Sequence, residues 1–267
     1  MIYRTNGNPA LMTVLDGEPG AVHARVAPRA LNDAMARAWE TFSERPLFTD
    51  PYARLFVNAA GPHELPATPE HQRSLIDSAA ARTKWFDEYF LTSSSSGVSQ
   101  VVILAAGLDA RPWRLPWLSD TIIYEVDQPE VLEFKQRILA ESGVSAAAKY
   151  VPVPVDLRDD WPKALTANGF DHTEPTAWAA EGLLPFLTEE TQEQLFDRIE
   201  LYSARGSRIA VEVRGDAYDE LSCWLCTRHW EVNSTSAADL MSRYHRAPTP
   251  GIDEPVAHSV FVDARKL

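Results

Sequence analysis

Cysteine is nearly missing from this chain of 267 residues: Cys223 and Cys226 are the only two. They form C-W-L-C, and no second cysteine pair or nearby histidine pair completes a zinc set, so no metal site is expected. At helical spacing the two read as small buried residues, with a redox pair as the alternative. Long hydrophobic runs are missing as well. Nothing approaches the roughly 20 apolar residues that span a bilayer, and the first residues show no charged-then-apolar signal pattern. The expectation is a cytoplasmic protein without a membrane partner. Basic charge is scarce: 25 Lys and Arg stand against 38 Asp and Glu, a formal net charge of -13. A phosphate backbone calls for a basic stripe, so nucleic acid is not expected as a partner. Also absent is G-x-G-x-x-G, whose glycines let a backbone wrap a dinucleotide pyrophosphate.

What is present centres on residues 101–128. V-V-I-L-A-A (Val101 to Ala106) reads as a buried parallel strand that closes on Gly107 and then Asp109 and Arg111. T-I-I-Y-E-V (Thr121 to Val126) reads as a second strand closing on Asp127. An acid about 20 residues beyond a glycine turn is where a nucleotide fold places a carboxylate to accept from both ribose hydroxyls. Ala105, Ala106 and Gly107 allow close approach of a ligand without cradling phosphate. S-adenosyl-L-methionine is the common nucleoside cofactor with a ribose to hold and no phosphate to neutralise. Any buried strand can also end in Gly or Asp at a turn; two consecutive strands with this spacing favour the nucleoside site.

Around this pair the chain alternates. Residues 1–27 carry little pattern and read as an arm, mobile or loosely docked. Pro28 to Phe42 and Pro69 to Leu91 have helical spacing, Asp50-Pro51 starts a short helix between them, and the serines Ser93 to Ser96 read as a linker. Pro129 opens a helix after Asp127. A third strand, Lys149 to Val155, ends in Asp156-Leu157, where a carboxylate can accept from an adenine amino group and the Leu157 amide can donate to a ring nitrogen; a self-satisfied loop aspartate is the other reading. Thr176 to Ala180 is a fourth strand, Thr188 caps a helix, Ser207 to Val213 is a fifth strand, and the chain then turns aromatic and irregular through Trp224 and Trp230. Ala237 to Tyr244 reads as a helix, and a last strand around Val260 to Val262 pairs antiparallel beside a sixth near Glu231 to Asn233. The fold class is α/β: a doubly wound, Rossmann-like sheet with N-terminal helices and a small helical, aromatic cap. Residues 28–267 form one domain, with N-terminal helices over 28–98, a cofactor-binding core over 99–215, cap elements over 216–257 and the last strand over 258–267.

The stretches P-L-F-T-D-P-Y-A-R-L-F, A-A-R-T-K-W-F-D, V-V-I-L-A-A-G-L-D-A-R-P-W-R-L, Y-E-V-D-Q-P-E-V-L-E-F-K, V-P-V-D-L-R-D-D-W and A-E-G-L-L-P-F-L-T, in this order, resemble the leucine carboxyl methyltransferase superfamily. They are most similar to its actinobacterial branch of S-adenosyl-L-methionine-dependent methyltransferases, a branch related to polyketide O-methyltransferases. The resemblance implies a class I methyltransferase sheet and a role for each matching position. Arg82 would pair with the methionine carboxylate, Ala105 and Gly107 would line the turn under the cofactor, and Asp127 would hold the ribose. Asp156 and Leu157 would address adenine, and Glu181 would face the methionine amino group. The family's first strand often ends G-A-G, and here Ala105 stands at the first glycine. Tyr244-His245-Arg246-Ala247 departs from the family's Y-G-R-P, which makes the cap the least transferable part.

The reaction expected is O-methylation of a small carboxylic acid or phenol, with the acceptor pocket built from the N-terminal helices and the aromatic stretch Tyr218 to Trp230. His172, His229 and His245 are candidate bases on residue type alone, and none is singled out. Two competing readings are a nicotinamide-dependent oxidoreductase, disfavoured by the missing pyrophosphate glycines, and a non-catalytic S-adenosylmethionine-binding protein. The oligomeric state is not legible.

Overall fold

The computed structural model describes residues 28–61, 68–246 and 258–267. The expected arm at 1–27 and the last part of the expected cap, 247–257, lie outside the described residues. Three helices come first: α1 (Pro28–Thr41), α2 (Ala53–Ala60) and α3 (Pro69–Ser95). Then β1 (Gln100–Leu104), α4 (Arg111–Arg114), β2 (Ile122–Asp127), α5 (Pro129–Glu141), β3 (Lys149–Pro154), α6 (Trp161–Ala167), β4 (Thr176–Ala180), α7 (Glu189–Leu201) and β5 (Arg208–Arg214) alternate. The described chain closes with α8 (Tyr218–Thr227), β6 (Trp230–Ser236), α9 (Ala237–Arg243) and β7 (Ser259–Lys266).

The seven strands form one sheet in the order β3-β2-β1-β4-β5-β7-β6. β1 to β5 run parallel, and β7 lies antiparallel between β5 and β6. Strands buried on both faces need apolar side chains without alternation, and β1 (QVVIL) and β4 (TAWAA) are buried along their whole length. The order reverses between β1 and β4. At that switch point the loops leave in opposite directions and open a crevice at the strands' carboxyl ends.

Helix α3 begins with Thr68, whose side chain accepts from His71 N, and with Pro69 in the first turn. It packs Ala81, Trp85, Phe86, Tyr89 and Phe90 on the sheet face formed by Val101, Ile103, Ala177 and Ala179. The small β4 residues let the helix sit close, and Tyr89 OH donates to Trp178 O at 2.9 Å. On the opposite face Trp161 and Trp178, both fully buried, meet edge to face with ring centroids 6.1 Å apart.

Four local expectations need correction. Ser93, Ser94 and Ser95 are the last turn of α3 and not a linker: Ser93 Oγ donates to Tyr89 O at 2.8 Å, which ties a polar residue into a buried helix end. The aromatic stretch after β5 is not irregular but forms α8, with Leu221 and Leu225 buried in the core. Cys223 and Cys226 are exposed on that helix, because Leu221 and Leu225 already occupy its inward face. The first strand stops at Leu104, since Ala105 has φ of 50°.

A left-handed alanine carries a backbone cost of about 1–2 kcal/mol that glycine avoids. Ala105→Gly is therefore expected to raise the Tm by about 2–4 °C, the shift that roughly 1 kcal/mol produces in a domain of this size. Thermal unfolding followed by circular dichroism measures it, and a lowered Tm would show that the alanine side chain stabilises the turn more than its backbone strains it.

Candidate active site

The crevice at the β1/β4 switch point is a cavity of about 380 Å³, within the size range of small-molecule sites. Its floor is Ile103 to Asp109, the turn that leaves β1. One wall is Asp127, Gln128 and Val131 at the start of α5, and the other is Glu181, Gly182, Leu183 and Phe186 after β4. The face of α1 that carries Arg29, Asp33 and Arg37 covers it.

The turn and the second strand are locked together. Gly107 N donates to Asp127 Oδ2 at 2.6 Å, and Gln128 N donates to Oδ1 at 2.7 Å. Gly107 has φ of 51°, and a Cβ there would sit 3.6 Å from Ala30 Cβ. Burial pushes the Asp127 carboxyl upward, against the two amide hydrogen bonds and Lys135, which favour the ionised form. Each Asp127 oxygen has one amide donor and a further lone pair to offer. A ribose diol fits that arrangement.

Beneath the opposite wall lies a buried ionic network. Arg82, on α3 and only 4% exposed, donates from Nη2 to Asp33 at 2.6 Å and from Nε to Glu181 at 3.0 Å, while Glu212 Oε2 lies 3.9 Å from its Nη1. Arg111 bridges three carboxylates: Nε to Asp87 at 2.7 Å, and Nη1 to Asp109 at 2.5 Å and to Glu181 at 2.8 Å. Arg114 holds both oxygens of Asp87 at 2.6 Å, and Arg37 donates to Asp50 at 2.9 Å. Burial works against the charge on Arg82 and Arg111, and the surrounding carboxylates outweigh it, so both are held more firmly protonated than a free guanidinium. Asp33 is held below the usual carboxylate range: burial raises it, and Arg82, Arg29 and Arg37 together bring it lower.

Of the residues expected at the site, Ala105, Gly107, Asp127 and Glu181 line the cavity. Arg82 stands behind Glu181 rather than on the cavity surface, and Asp156 and Leu157 lie past its rim, where Gln128 Nε2 reaches Asp156 at 3.2 Å. Hydrogen bonds from Arg158 hold the Asp156 carboxyl down at about 2. Arg111 and Arg114 both line the site and brace it. Tyr218 to Trp230 does not line this cavity among the described residues. Instead α8 borders a separate groove with α7, because β7 intervenes between β5 and β6 and carries this segment to the sheet edge. Gln128 and Phe186 lie within stretches that carry the resemblance but had no role assigned, and Arg29 and Asp33 lie outside those stretches. The one signal was the polar stripe 29, 33, 37 at helical spacing on a helix whose remaining faces are largely buried.

A doubly wound sheet with a carboxylate at the end of β2 and a turn after β1 that lacks phosphate-binding glycines agrees in layout with the S-adenosyl-L-methionine-dependent methyltransferases, the class to which its relatives assign the chain. The leucine carboxyl methyltransferase family model matches residues 30–200, and the chain belongs to that family. A Mycolicibacterium gilvum protein described as an S-adenosyl-L-methionine-dependent methyltransferase is 55% identical over 258 residues, 96% of this chain and 100% of its own length. A Mycolicibacterium paratuberculosis protein of the same description is 39% identical, over 94% of this chain and 96% of its own. Two crystal structures share the fold at low identity. A Thermobifida fusca protein described as a methyltransferase has a TM-score of 0.53 at 16% identity, covering 94% of this chain and 99% of its own. Magnesium protoporphyrin IX methyltransferase from Synechocystis, solved with S-adenosylmethionine bound, has a TM-score of 0.51 at 9% identity, covering 88% and 97%.

Proposed function

We propose that this methyltransferase acts on an oxygen of a small carboxylic acid or phenol. The observation that carries the reading is the charge balance of the strand-end cavity: the guanidiniums of Arg29, Arg37, Arg111 and Arg114 offset the carboxylates of Asp33, Asp109, Asp127 and Glu181 there, in a chain whose formal net charge is -13. A charge-balanced cavity in a strongly acidic protein admits a small anion, whereas the protein as a whole repels a polyanion such as nucleic acid. In this reading Asp127 holds the ribose, Ala105 and Gly107 lie under the cofactor, and Asp156 with the Leu157 amide addresses adenine. Arg82 takes the methionine carboxylate in exchange for Asp33, and Glu181 faces the amino group.

When bound, the sulfonium supplies an electrophilic methyl: the acceptor oxygen forms the new O–C bond as the S–C bond breaks and its electron pair passes to sulfur. A carboxylate is already ionised near pH 7 and releases no proton, so its methylation needs no base. The protein's part is alignment, with α1 and the loop after β4 holding the acceptor over the turn that follows β1. Among the described residues no group of three or more His, Cys, Asp or Glu side chains is arranged to hold a metal, and the reading routes no step through one.

The test is a panel of carboxylic acids and phenols incubated with methyl-labelled cofactor, with product analysis by mass spectrometry. Label on oxygen of a small acid or phenol is the expected result. Label on nitrogen or carbon, or turnover that stops in EDTA and returns with magnesium, would overturn it.

A further inference from the structure

Four guanidiniums border the cavity, and three of them are committed to fixed partners. Arg37 donates to Asp50 and to Leu108 O, Arg111 to Asp87, Asp109 and Glu181, and Arg114 to Asp87. Arg29 differs. Its ionic partner among the described residues is Asp33 at 3.7 Å, outside hydrogen-bond reach, and no hydrogen bond from it is formed within them. Its guanidinium lies 4.9 Å from the centroid of the Phe186 ring, a residue that is 65% exposed beside the same cavity. Gly182 makes this approach possible: a Cβ there would fall 2.5 Å from Arg29 Nη2, and the residue's φ of +60° suits glycine in any case. The start of α1 and the loop after β4 thus meet across the cavity as a cation over an aromatic ring.

We propose that Arg29, backed by Phe186, is the group that reads the acceptor, and that the acceptor is a flat aromatic acid. The inference rests on the methyltransferase reading of the cavity. A guanidinium whose donors are unused among the described residues matches a carboxylate through two parallel hydrogen bonds, which no cavity arginine already committed to carboxylates can offer. The exposed Phe186 ring gives a planar partner a surface to stack on, and Leu183 adds an apolar contact on the same wall. Arg29 packs on Gly182, one residue beyond Glu181, so it lies on the Phe186 side of the turn assigned to the methionine end. The two parallel hydrogen bonds use one lone pair on each carboxylate oxygen, and the second lone pair of either oxygen is left to attack.

The experiment is a calorimetric titration of the S-adenosylhomocysteine-saturated protein with 2-naphthoate and with its neutral match, 2-naphthamide. The expected result is naphthoate bound at least about ten-fold more tightly than the amide, as a charged hydrogen-bond pair implies. In Arg29→Met the two ligands should bind within two-fold of each other, and Arg29→Lys should restore only part of the preference. Phe186→Ala should weaken both ligands alike, and S-adenosylhomocysteine should bind Arg29→Met within two-fold of the wild type. Naphthoate that fails to bind, a preference that survives in Arg29→Met, or a loss of S-adenosylhomocysteine affinity of ten-fold or more would overturn the assignment. The last of these would make Arg29 a reader of the cofactor. A wild-type protein that does not bind S-adenosylhomocysteine at all would overturn the site reading itself and this inference with it.

Discussion

Asp127→Ala is expected to weaken S-adenosylmethionine binding by about 10- to 150-fold, the range for losing hydrogen bonds to a charged acceptor. The carboxylate joins two things: it closes the turn through Gly107 N, and it presents lone pairs at the cavity wall. Loss of the first role alone would lower thermal stability and leave affinity nearly intact. Loss of the second lowers affinity in a protein that still melts cooperatively. Calorimetry on the variant, paired with its melting curve, separates the two, and an unchanged dissociation constant removes Asp127 from the ribose. Because burial raises the carboxyl above its ordinary range, wild-type affinity should begin to fall at a higher pH than an exposed aspartate would dictate, as the acceptor becomes protonated.

Arg111→Met should lower the Tm by about 6–20 °C. Removing the shared cation strips Asp109 of its buried guanidinium partner and takes one of two from each of Asp87 and Glu181, a break in a buried ion-pair network that typically costs about 3–5 kcal/mol. The pH dependence identifies the cause. Burial raises the Asp109 carboxyl, but Arg111, Arg114 and Lys135 outweigh it and hold the group below the usual carboxylate range. A depressed carboxyl contributes stability that is present above the unfolded pKa and is lost as pH falls through the folded one. The variant lacks that contribution, so its Tm deficit should be largest near neutrality and shrink as the carboxylates protonate. A deficit that stays constant from neutral to acid pH would mean that Arg111 acts through packing alone.

How much of this was legible in the sequence depends on how locally each feature is encoded. Strands β1 and β2 and the acid at Asp127 are readable because burial on both sheet faces demands unbroken apolar runs, and a change to polar residues marks where a strand leaves the core. Thr176 to Ala180 matched the fourth strand for the same reason. The helical serines at 93–95 were not readable, since the hydroxyls of Ser93 and Ser95 are satisfied by carbonyls of the preceding turn, which no composition rule anticipates. Helix α8 was obscured because its buried residues are Leu221 and Leu225 alone, while its aromatics Tyr218 and Trp224 are only partly buried against the same core. The ionic network was the least legible. Arg82 meets Asp33 and Glu181 across 49 and 99 residues of sequence, so its partners follow from topology and not from any neighbouring motif.

The placement of β7 has a consequence for the order in which the molecule assembles. β6 precedes β7 in the chain, yet among the described residues its one strand neighbour is β7, which pairs β6 on one side and β5 on the other. Until Ser259–Lys266 has emerged, β6 has nothing to pair with and β5 presents an open edge next to the assembled parallel core. Completing that side of the sheet therefore means threading a late segment between two earlier ones, a non-local step with a large loop-closure cost. An exposed strand edge during this interval is where an incompletely folded chain is most open to pairing with another copy. β1 to β5 pair only among themselves on the parallel side, so their pairing waits on no segment later than β5.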